Sequence, residues 1–544
     1  MKNVLINSMR KISENLDKIL VIVAVVLSIT SFLYFFQNNH LNIEFYDAQA
    51  RLNIARKVID NLTPGIAQLG NIWLPLPQVL MLPFIWSNFL WHSGIAGYIM
   101  SGISFVLTIY FLYKIGIIAF GSRFSGFAMA LVALTSINFV YMQTTPMTET
   151  LFIATVTGAT YYLLKWAKYQ SLNSLLLAAF FISASTLTRY EGYFVFLMAT
   201  FLVSLILLLK TKDRKKTEGT LILFGTLAVT GIVMWIIYSW TIFKDPTYWI
   251  KIYSHEVSII STDKVIQKTV IDSASRFSQK GNLINSVTSF SESVALMVGI
   301  PITIFAAFGL LAFIPLNLKR IFTDKPYYLV LFLPFSVFAF VVFTLYRGGI
   351  PLGLPHLDFG SLLNRNVSLE TEYNIRYGLT ILPLVAIFFG WLAVNRFKLV
   401  RLLLILIIVF QVVTTFYTPL FTVYQLPTQL AHGTKSIPRG NTAASSWLKE
   451  NYNGGLIMIS ALQFDPEMFY LGLDYKNYIH EGTGNYWLDS TKNPQKHASW
   501  IYMSSPENYD KDQVRKNLAE NKDLIRYFDL VYQDKNNYVY KKKI

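Results

Sequence analysis

The chain has 544 residues, of which 53% are hydrophobic, 15% aromatic and only 14% charged, with a formal net charge of +16 and no cysteine. Soluble domains carry about 25% charged residues and single cores stop growing near roughly 250–300 residues, so this balance excludes a soluble globular enzyme, a disordered chain, a coiled coil and a collagen-like chain. The lack of cysteine removes disulfides, thiolate nucleophiles, iron–sulfur clusters and thiolate zinc sites.

A polytopic α-helical membrane protein is what remains. A helix crossing ~30 Å of hydrocarbon needs about 20 apolar residues. The first run, Ile19–Phe36, follows a polar segment of mixed charge with no Ala-x-Ala-like cleavage site, and is read as a retained span. Ten more follow: Ile95–Ile118, Phe124–Met142, Thr148–Trp166, Leu172–Leu187, Gly192–Leu209, Leu221–Phe243, Val294–Leu316, Tyr327–Leu345, Ile375–Val394 and Leu402–Thr418. Eleven transmembrane helices are expected. The apolar stretch Ile72–Trp91 is broken by Pro75, Pro77 and Pro83 and carries Trp73, Trp86 and Trp91, which suits a helix lying on the membrane surface.

Charge parity supports that reading. If Ile72–Trp91 does not cross, Arg10, Lys11 and Lys18 share a face with Lys114 and Arg123, with Lys165 and Lys168, and with Lys210, Lys212, Arg214, Lys215 and Lys216. Lys319, Arg320, Lys325, Arg396, Lys398 and Arg401 fall on the same face. Positive residues flank the cytoplasmic ends of spans, so the N-terminus is expected in the cytoplasm of a multi-pass plasma-membrane protein. The basic clusters therefore set orientation, and no nucleic-acid partner is expected. The other face receives residues 37–91, Lys244–Ser293, Tyr346–Asn374 and the tail. The expected division is a membrane domain over residues 1–420, including the outer juxtamembrane loop 37–91, and an extracytoplasmic soluble α/β domain over 421–544. In the tail a helix capped by Asn441 or Thr442 runs through Trp447 to Asn451, and Gly454-Gly455 ends it. Strands follow at Leu456–Ser460 and Ile501–Met503, then a helix at Lys511–Asn521 and a hairpin of Tyr527–Tyr532 with Tyr538–Tyr540.

Four motifs on the outer face could carry chemistry. The loop after the first span holds Tyr46, Asp47 and Arg51. A carboxylate at the interface is partly desolvated, which strengthens it as a general base; the plainer reading of Asp47 is a cap or an i,i+4 pair with Arg51. Thr148-Glu149 opens the fourth span, where Thr148 suits an N-cap and Glu149 the helix dipole. Thr188-Arg189-Tyr190-Glu191-Gly192 joins two long apolar runs. Arg189 either grips a phosphate bidentately or stitches helix ends by pairing with Glu191 or Glu149. Glu372-Tyr373-Asn374-Ile375-Arg376-Tyr377 puts Arg376 at a helix start, where it opposes the dipole unless an anion joins it or its head snorkels. His255, His356 and His480 are scattered, so no metal site is expected, and no P-loop or dinucleotide motif calls for a cofactor.

In order and in shared face, these pieces resemble the GT-C superfamily of membrane glycosyltransferases, closest to its protein O-mannosyltransferase and aminoarabinose-transferase-like branch (family 39, RgtA/B/C-like). The matching residues are Tyr46, Asp47, Ala50 and Arg51; Trp73-Leu74-Pro75-Leu76-Pro77; Pro146, Thr148 and Glu149; Thr188 to Gly192; and Arg376, Tyr377 and Pro383. The resemblance implies inverting transfer of a monosaccharide from a polyprenyl-phosphate donor in the bilayer to a hydroxyl on a glycan, lipid or protein acceptor, through a transition state of oxocarbenium character like that of glycosidases. Asp47 would be the base, Arg189 and Arg376 would stabilise the lipid-phosphate leaving group, and Glu149, Glu191, Tyr46, Tyr190 and Tyr377 would orient substrate or arginines. Family members often carry Asp-Glu where this chain has Asp47-Ala48, and the Trp-Trp-Asp motif of oligosaccharyltransferases is not found. The rival function is a lipid or glycan transporter or flippase. Such proteins place ionisable residues near mid-membrane, whereas here the charges crowd at outer helix ends.

Overall fold

The computed structural model describes residues 15–38, 40–70, 72–211, 213–251, 279–350, 352–353, 374–395, 397–417, 440–506 and 512–543. Arg10, Lys11, Lys212, His255, His356, Glu372, Tyr373, Arg396 and the expected domain junction at 420 lie outside these residues. In chain order the helices are α1 Leu16–Gln37, α2 Tyr46–Ile59, α3 Leu76–Met81, α4 Asn88–His92, α5 Ile95–Phe120, α6 Arg123–Thr135, α7 Ile137–Met142, α8 Glu149–Tyr169, α9 Leu172–Thr186 and α10 Glu191–Lys210. Then come α11 Arg214–Ala228, α12 Thr230–Phe243, α13 Leu283–Val298, α14 Ile300–Phe322, α15 Phe335–Arg347, α16 Leu382–Leu392 and α17 Lys398–Tyr417. The last stretch contains α18 Ala443–Asn451, β1 Leu456–Met458, α19 Ala461–Leu471, β2 Tyr478–Ile479, α20 Asn485–Lys492, β3 Ala498–Ser504, α21 Gln513–Leu518, α22 Lys522–Tyr527, β4 Phe528–Gln533 and β5 Asn537–Lys542.

Each expected apolar run is helical, but several are interrupted. Among the described residues six segments are long and apolar enough to cross a bilayer: Leu16–Gln37, Ile95–Phe120, Glu191–Lys210, Ile300–Phe322, Pro326–Arg347 and Ile375–Leu392. The pair α11 and α12, bent by 44°, makes a seventh if it is one span. The chain is thus a multi-pass membrane protein. Of the four expected runs outside this set, those of α8 and α17 are continuous helices of 21 and 20 residues, that of α9 has 15, and one is broken. The run Phe124–Met142 is divided at Ser136 into α6 and α7, and Gly299, at φ 125°, divides α13 from α14. The proline-rich stretch Ile72–Trp91 forms only α3 and α4, of 6 and 5 residues, too short to cross. Val79, Leu80, Trp86 and Phe89 on this stretch are exposed, while Met81, Ile85 and Trp91 are buried.

The contacts divide the chain into two compact units. The first is built from described residues within Met1–Tyr34, Asn71–Leu76 and Met100–Gly433. Small residues let its helices approach closely, as membrane helices commonly require. A Cβ on Gly116 of α5 would lie 2.3 Å from the Gly126 nitrogen of α6, and one on Gly309 of α14 would lie 2.3 Å from the Phe388 carbonyl of α16. Ser125 Oγ donates to the Gly390 carbonyl at 2.7 Å, which fastens α6 to α16.

The second unit comprises residues within Phe35–Gly70, Pro77–Ile99 and Thr434–Ile544. Its centre is a five-stranded sheet in the order β2-β1-β3-β5-β4, parallel across β2, β1 and β3 and antiparallel across β3, β5 and β4. Successive side chains of a strand face opposite ways, and β3 uses both faces. Trp500 and Tyr502 pack with Leu52, Ala55, Met81, Ile85 and Trp91, while Ile501 and Met503 pack with Val514, Leu518, Leu524 and Phe528. Burial on both sides accounts for the nearly continuous apolar run of β3. Thr442, rather than Asn441, caps α18, in a capping box with Ser445.

Candidate functional site

In the first unit, α8 begins at Glu149, so its carboxylate stands where a helix N-terminus favours negative charge. Its Oε1 accepts from Arg189 Nη1 at 3.1 Å and from Arg376 Nε at 3.1 Å. The Glu149 side chain is 1% exposed, against 12% and 14% for the two arginines, so the pairs are screened from water. Glu149 Oε2 is buried with no hydrogen-bond partner. Thr148 does not cap α8 through its side chain; its hydroxyl oxygen accepts from Arg189 Nη1 at 3.1 Å.

Arg189 sits in the turn between α9 and α10. Its Nε and Nη2 donate to Glu191 Oε1 at 2.9 and 2.6 Å. Both pairings open to Arg189 in the sequence, with Glu149 and with Glu191, are present together. The tight turn depends on Gly192, where a Cβ would lie 2.4 Å from the Ser185 carbonyl. Tyr190 donates its hydroxyl to the Ile72 carbonyl at 2.7 Å and stacks on Trp249 with centroids 5.2 Å apart.

Arg376 and Tyr377 lie on a 3-10 turn, Ile375–Ile381, whose preceding residue Asn374 is left-handed at φ 58°. Gly378 lets that turn rest on α13, since a Cβ there would lie 2.4 Å from the Ser293 carbonyl, and Ser293 Oγ donates to the Ile375 carbonyl at 2.8 Å. The clash between Arg376 and the dipole is met by Glu149, which supplies the negative charge from another helix. The Tyr377 ring lies 4.8 Å from the Arg189 guanidinium and 5.5 Å from that of Arg376. Glu149, Glu191, Arg189, Arg376 and Tyr377 therefore form one cluster, in which two carboxylates balance two guanidiniums.

Tyr46 and Asp47 belong to the second unit. They open α2, whose preceding residue Phe45 is extended and makes no side-chain cap, and Asp47 lies in the first turn at intermediate burial. Two features escaped the reading of the sequence. One is Thr148 as an arginine acceptor. The other is the density of polar contacts along the rest of α2, where Asn53 and Arg56 are buried. An amphipathic helix that buries an asparagine and an arginine is the only local signal for the second.

A family model described as dolichyl-phosphate-mannose-protein mannosyltransferase matches residues 85–240. The structure is similar to that of ArnT from Cupriavidus metallidurans bound to undecaprenyl phosphate, with a TM-score of 0.53 at 12% identity over 96% of this chain and 97% of that one. The apo form of that protein gives 0.52 at 12% identity, over 95% and 97%. The chain shares the fold of ArnT. An archaeal oligosaccharyltransferase, AglB from Archaeoglobus fulgidus, aligns with a TM-score of 0.44 at 11% identity over 91% of this chain and 70% of that one. No curated protein matches in sequence. The matched segment includes Glu149, Arg189 and Glu191 but neither Asp47 nor Arg376.

Proposed function

We propose that this chain is an inverting glycosyltransferase that moves a monosaccharide from a polyprenyl-phosphate donor to a hydroxyl acceptor at the extracytoplasmic face of the plasma membrane. The observation that carries the reading is the convergence of Arg189 and Arg376 on Glu149 at the start of α8. Two guanidiniums held in fixed directions are suited to developing charge on a phosphate. The likeness in fold to ArnT, a protein seen bound to undecaprenyl phosphate, supports the same class of donor. The positive-inside distribution supports a cytoplasmic N-terminus with the tail outside.

In this mechanism the acceptor oxygen attacks the anomeric carbon as the bond from that carbon to the phosphate oxygen breaks. Asp47 takes the hydroxyl proton. Arg189 and Arg376 stabilise the lipid phosphate that leaves, while Glu149 and Glu191 hold the arginines and Tyr46, Tyr190 and Tyr377 orient the substrate. Mass spectrometry of envelope glycans after deletion of the gene names the sugar and its carrier. The protein reconstituted in nanodiscs with that polyprenyl-phosphate sugar then tests the base. Asp47→Asn is expected to abolish transfer while donor binding and folding persist, and full transfer by that variant overturns the assignment.

A further inference from the structure

The helix that carries Asp47 in its first turn is held by polar side chains to residues 85–91 and to residues 465–482. Asn53, Arg56 and Lys57 of α2 recur at i, i+3 and i+4 and so share a face. Asn53 is fully buried, and each polar atom of its side chain is used. Its Nδ2 donates to the Asp465 carbonyl at 3.1 Å and to Asp465 Oδ2 at 2.8 Å, while its Oδ1 accepts from Trp91 Nε1 at 3.1 Å. Arg56 has a partner for each of its five N–H groups. Nε donates to Asp60 Oδ2 at 2.9 Å, Nη1 to the Ile85 and Trp86 carbonyls at 2.9 and 2.7 Å, and Nη2 to Asn88 Oδ1 and Asp474 Oδ1 at 2.6 and 3.2 Å. Lys57 Nζ lies 3.6 Å from Asp465 Oδ1. Just past the helix, Asp60 accepts from the backbone N–H groups of Tyr475 and Lys476 at 3.1 and 3.3 Å. Thr63 and Gln68 donate to the Gly482 carbonyl at 3.1 and 2.7 Å.

A helix that only needed to cover the sheet would do so with leucines, because buried charges are costly even when paired. Directional bonds fix rotation and register where apolar contact permits sliding. Asn53 lies six residues after Asp47, about 9 Å along a helix that rises 1.5 Å per residue. Anchoring the helix from Asn53 to its end therefore fixes the direction in which its first turn points. We propose that residues 465–482 clamp the Asp47 helix, with Asn53, Arg56 and Asp465 acting as positioning residues for sugar transfer. The inference rests on the reading of Asp47 as the base.

The test uses the full chain in nanodiscs and measures kcat, donor KM and thermal melting. Displacement of a catalytic group by about 1 Å can lower a rate some hundredfold. Asn53→Ala and Arg56→Lys are each expected to lower kcat about ten- to a hundredfold, with donor KM within about twofold of the wild type. Asp465→Asn keeps an acceptor for Asn53 and is expected to recover most of the kcat lost by Asp465→Ala. A folded Asn53→Ala or Arg56→Lys variant with wild-type kcat overturns the clamp, as does loss of folding in both, which would make these contacts structural only. Asp47→Asn separates the two ideas. If it is inactive while the clamp variants keep kcat, only the clamp fails; if it transfers normally, the base assignment fails.

Discussion

Glu149 is the residue whose replacement says most about the cluster. Its Oε1 serves Arg189 and Arg376 at once, in a setting where the three side chains are 1%, 12% and 14% exposed. Glu149→Gln keeps an acceptor oxygen but removes the charge. Both bonds stay guanidinium-donated but lose the carboxylate charge, so the loss falls short of that for breaking a buried pair outright, about 3–5 kcal/mol, and is put at about 2–3 kcal/mol. Glu149→Ala removes the acceptor and breaks both buried ion pairs at once, for which about 3–5 kcal/mol is expected. The order wild type, Gln, Ala should appear in thermal melting of the full chain in nanodiscs. In single-turnover transfer a loss of 2–3 kcal/mol expressed in the transition state corresponds to a rate reduced about 30- to 150-fold. Glu149 also balances the positive charge of the arginines, so its removal should lower kcat without raising donor KM. An alanine variant as stable and as active as the wild type would refute the hub.

Three further outcomes are expected. Arg189→Lys keeps the charge, but one ammonium cannot serve Glu149, Glu191 and the Thr148 hydroxyl in the directions a guanidinium does; transfer should fall at least tenfold, and unchanged donor KM together with unchanged kcat would count against a phosphate role. Gly378→Ala would press a Cβ to 2.4 Å from the Ser293 carbonyl, and backbone cannot yield as a flexible side chain can; a loss of about 1–3 kcal/mol should be seen in the melt, together with reduced transfer through displacement of Arg376. Burial, with the nearby Asp465 charge adding to it, pushes Glu467 up from the ordinary 4.5 to about 7. The folded state then holds a proton the unfolded state has lost, so this group's stabilisation is full below about 4.5 and fades as pH rises through about 7. Melting temperatures of Glu467→Gln against pH should lack that fall, and an identical profile would refute the assignment.

Much of the local architecture was readable in advance. The span expected at Ile19–Phe36 forms over Leu16–Gln37, and that at Ile95–Ile118 over Ile95–Phe120. The strand expected at Leu456–Ser460 forms over Leu456–Met458, and the hairpin over Phe528–Gln533 and Asn537–Lys542. Other elements gave little signal. The two-residue strand β2 is too short for any pattern, and α19 begins right after β1 and carries Pro466 within it. The break at Gly299 is set by its neighbour in space as much as by the glycine, since a Cβ there would collide with the side chain of Gln411.

The candidate site divides in the same way. Sequence alone determined that Glu149 begins a helix, that Arg189 lies in a turn between apolar runs, and that Arg376 stands at a helix start in conflict with the dipole. Each of these follows from neighbours within one or two turns. Only the tertiary structure decided that the three meet, because Glu149 lies 40 residues from Arg189 and 227 from Arg376. The same holds for Asn53, whose amide is satisfied by Asp465, 412 residues further on. Hydrophobic period and helix dipoles act over a few residues, whereas buried charges and amides must find partners wherever the packed helices bring them.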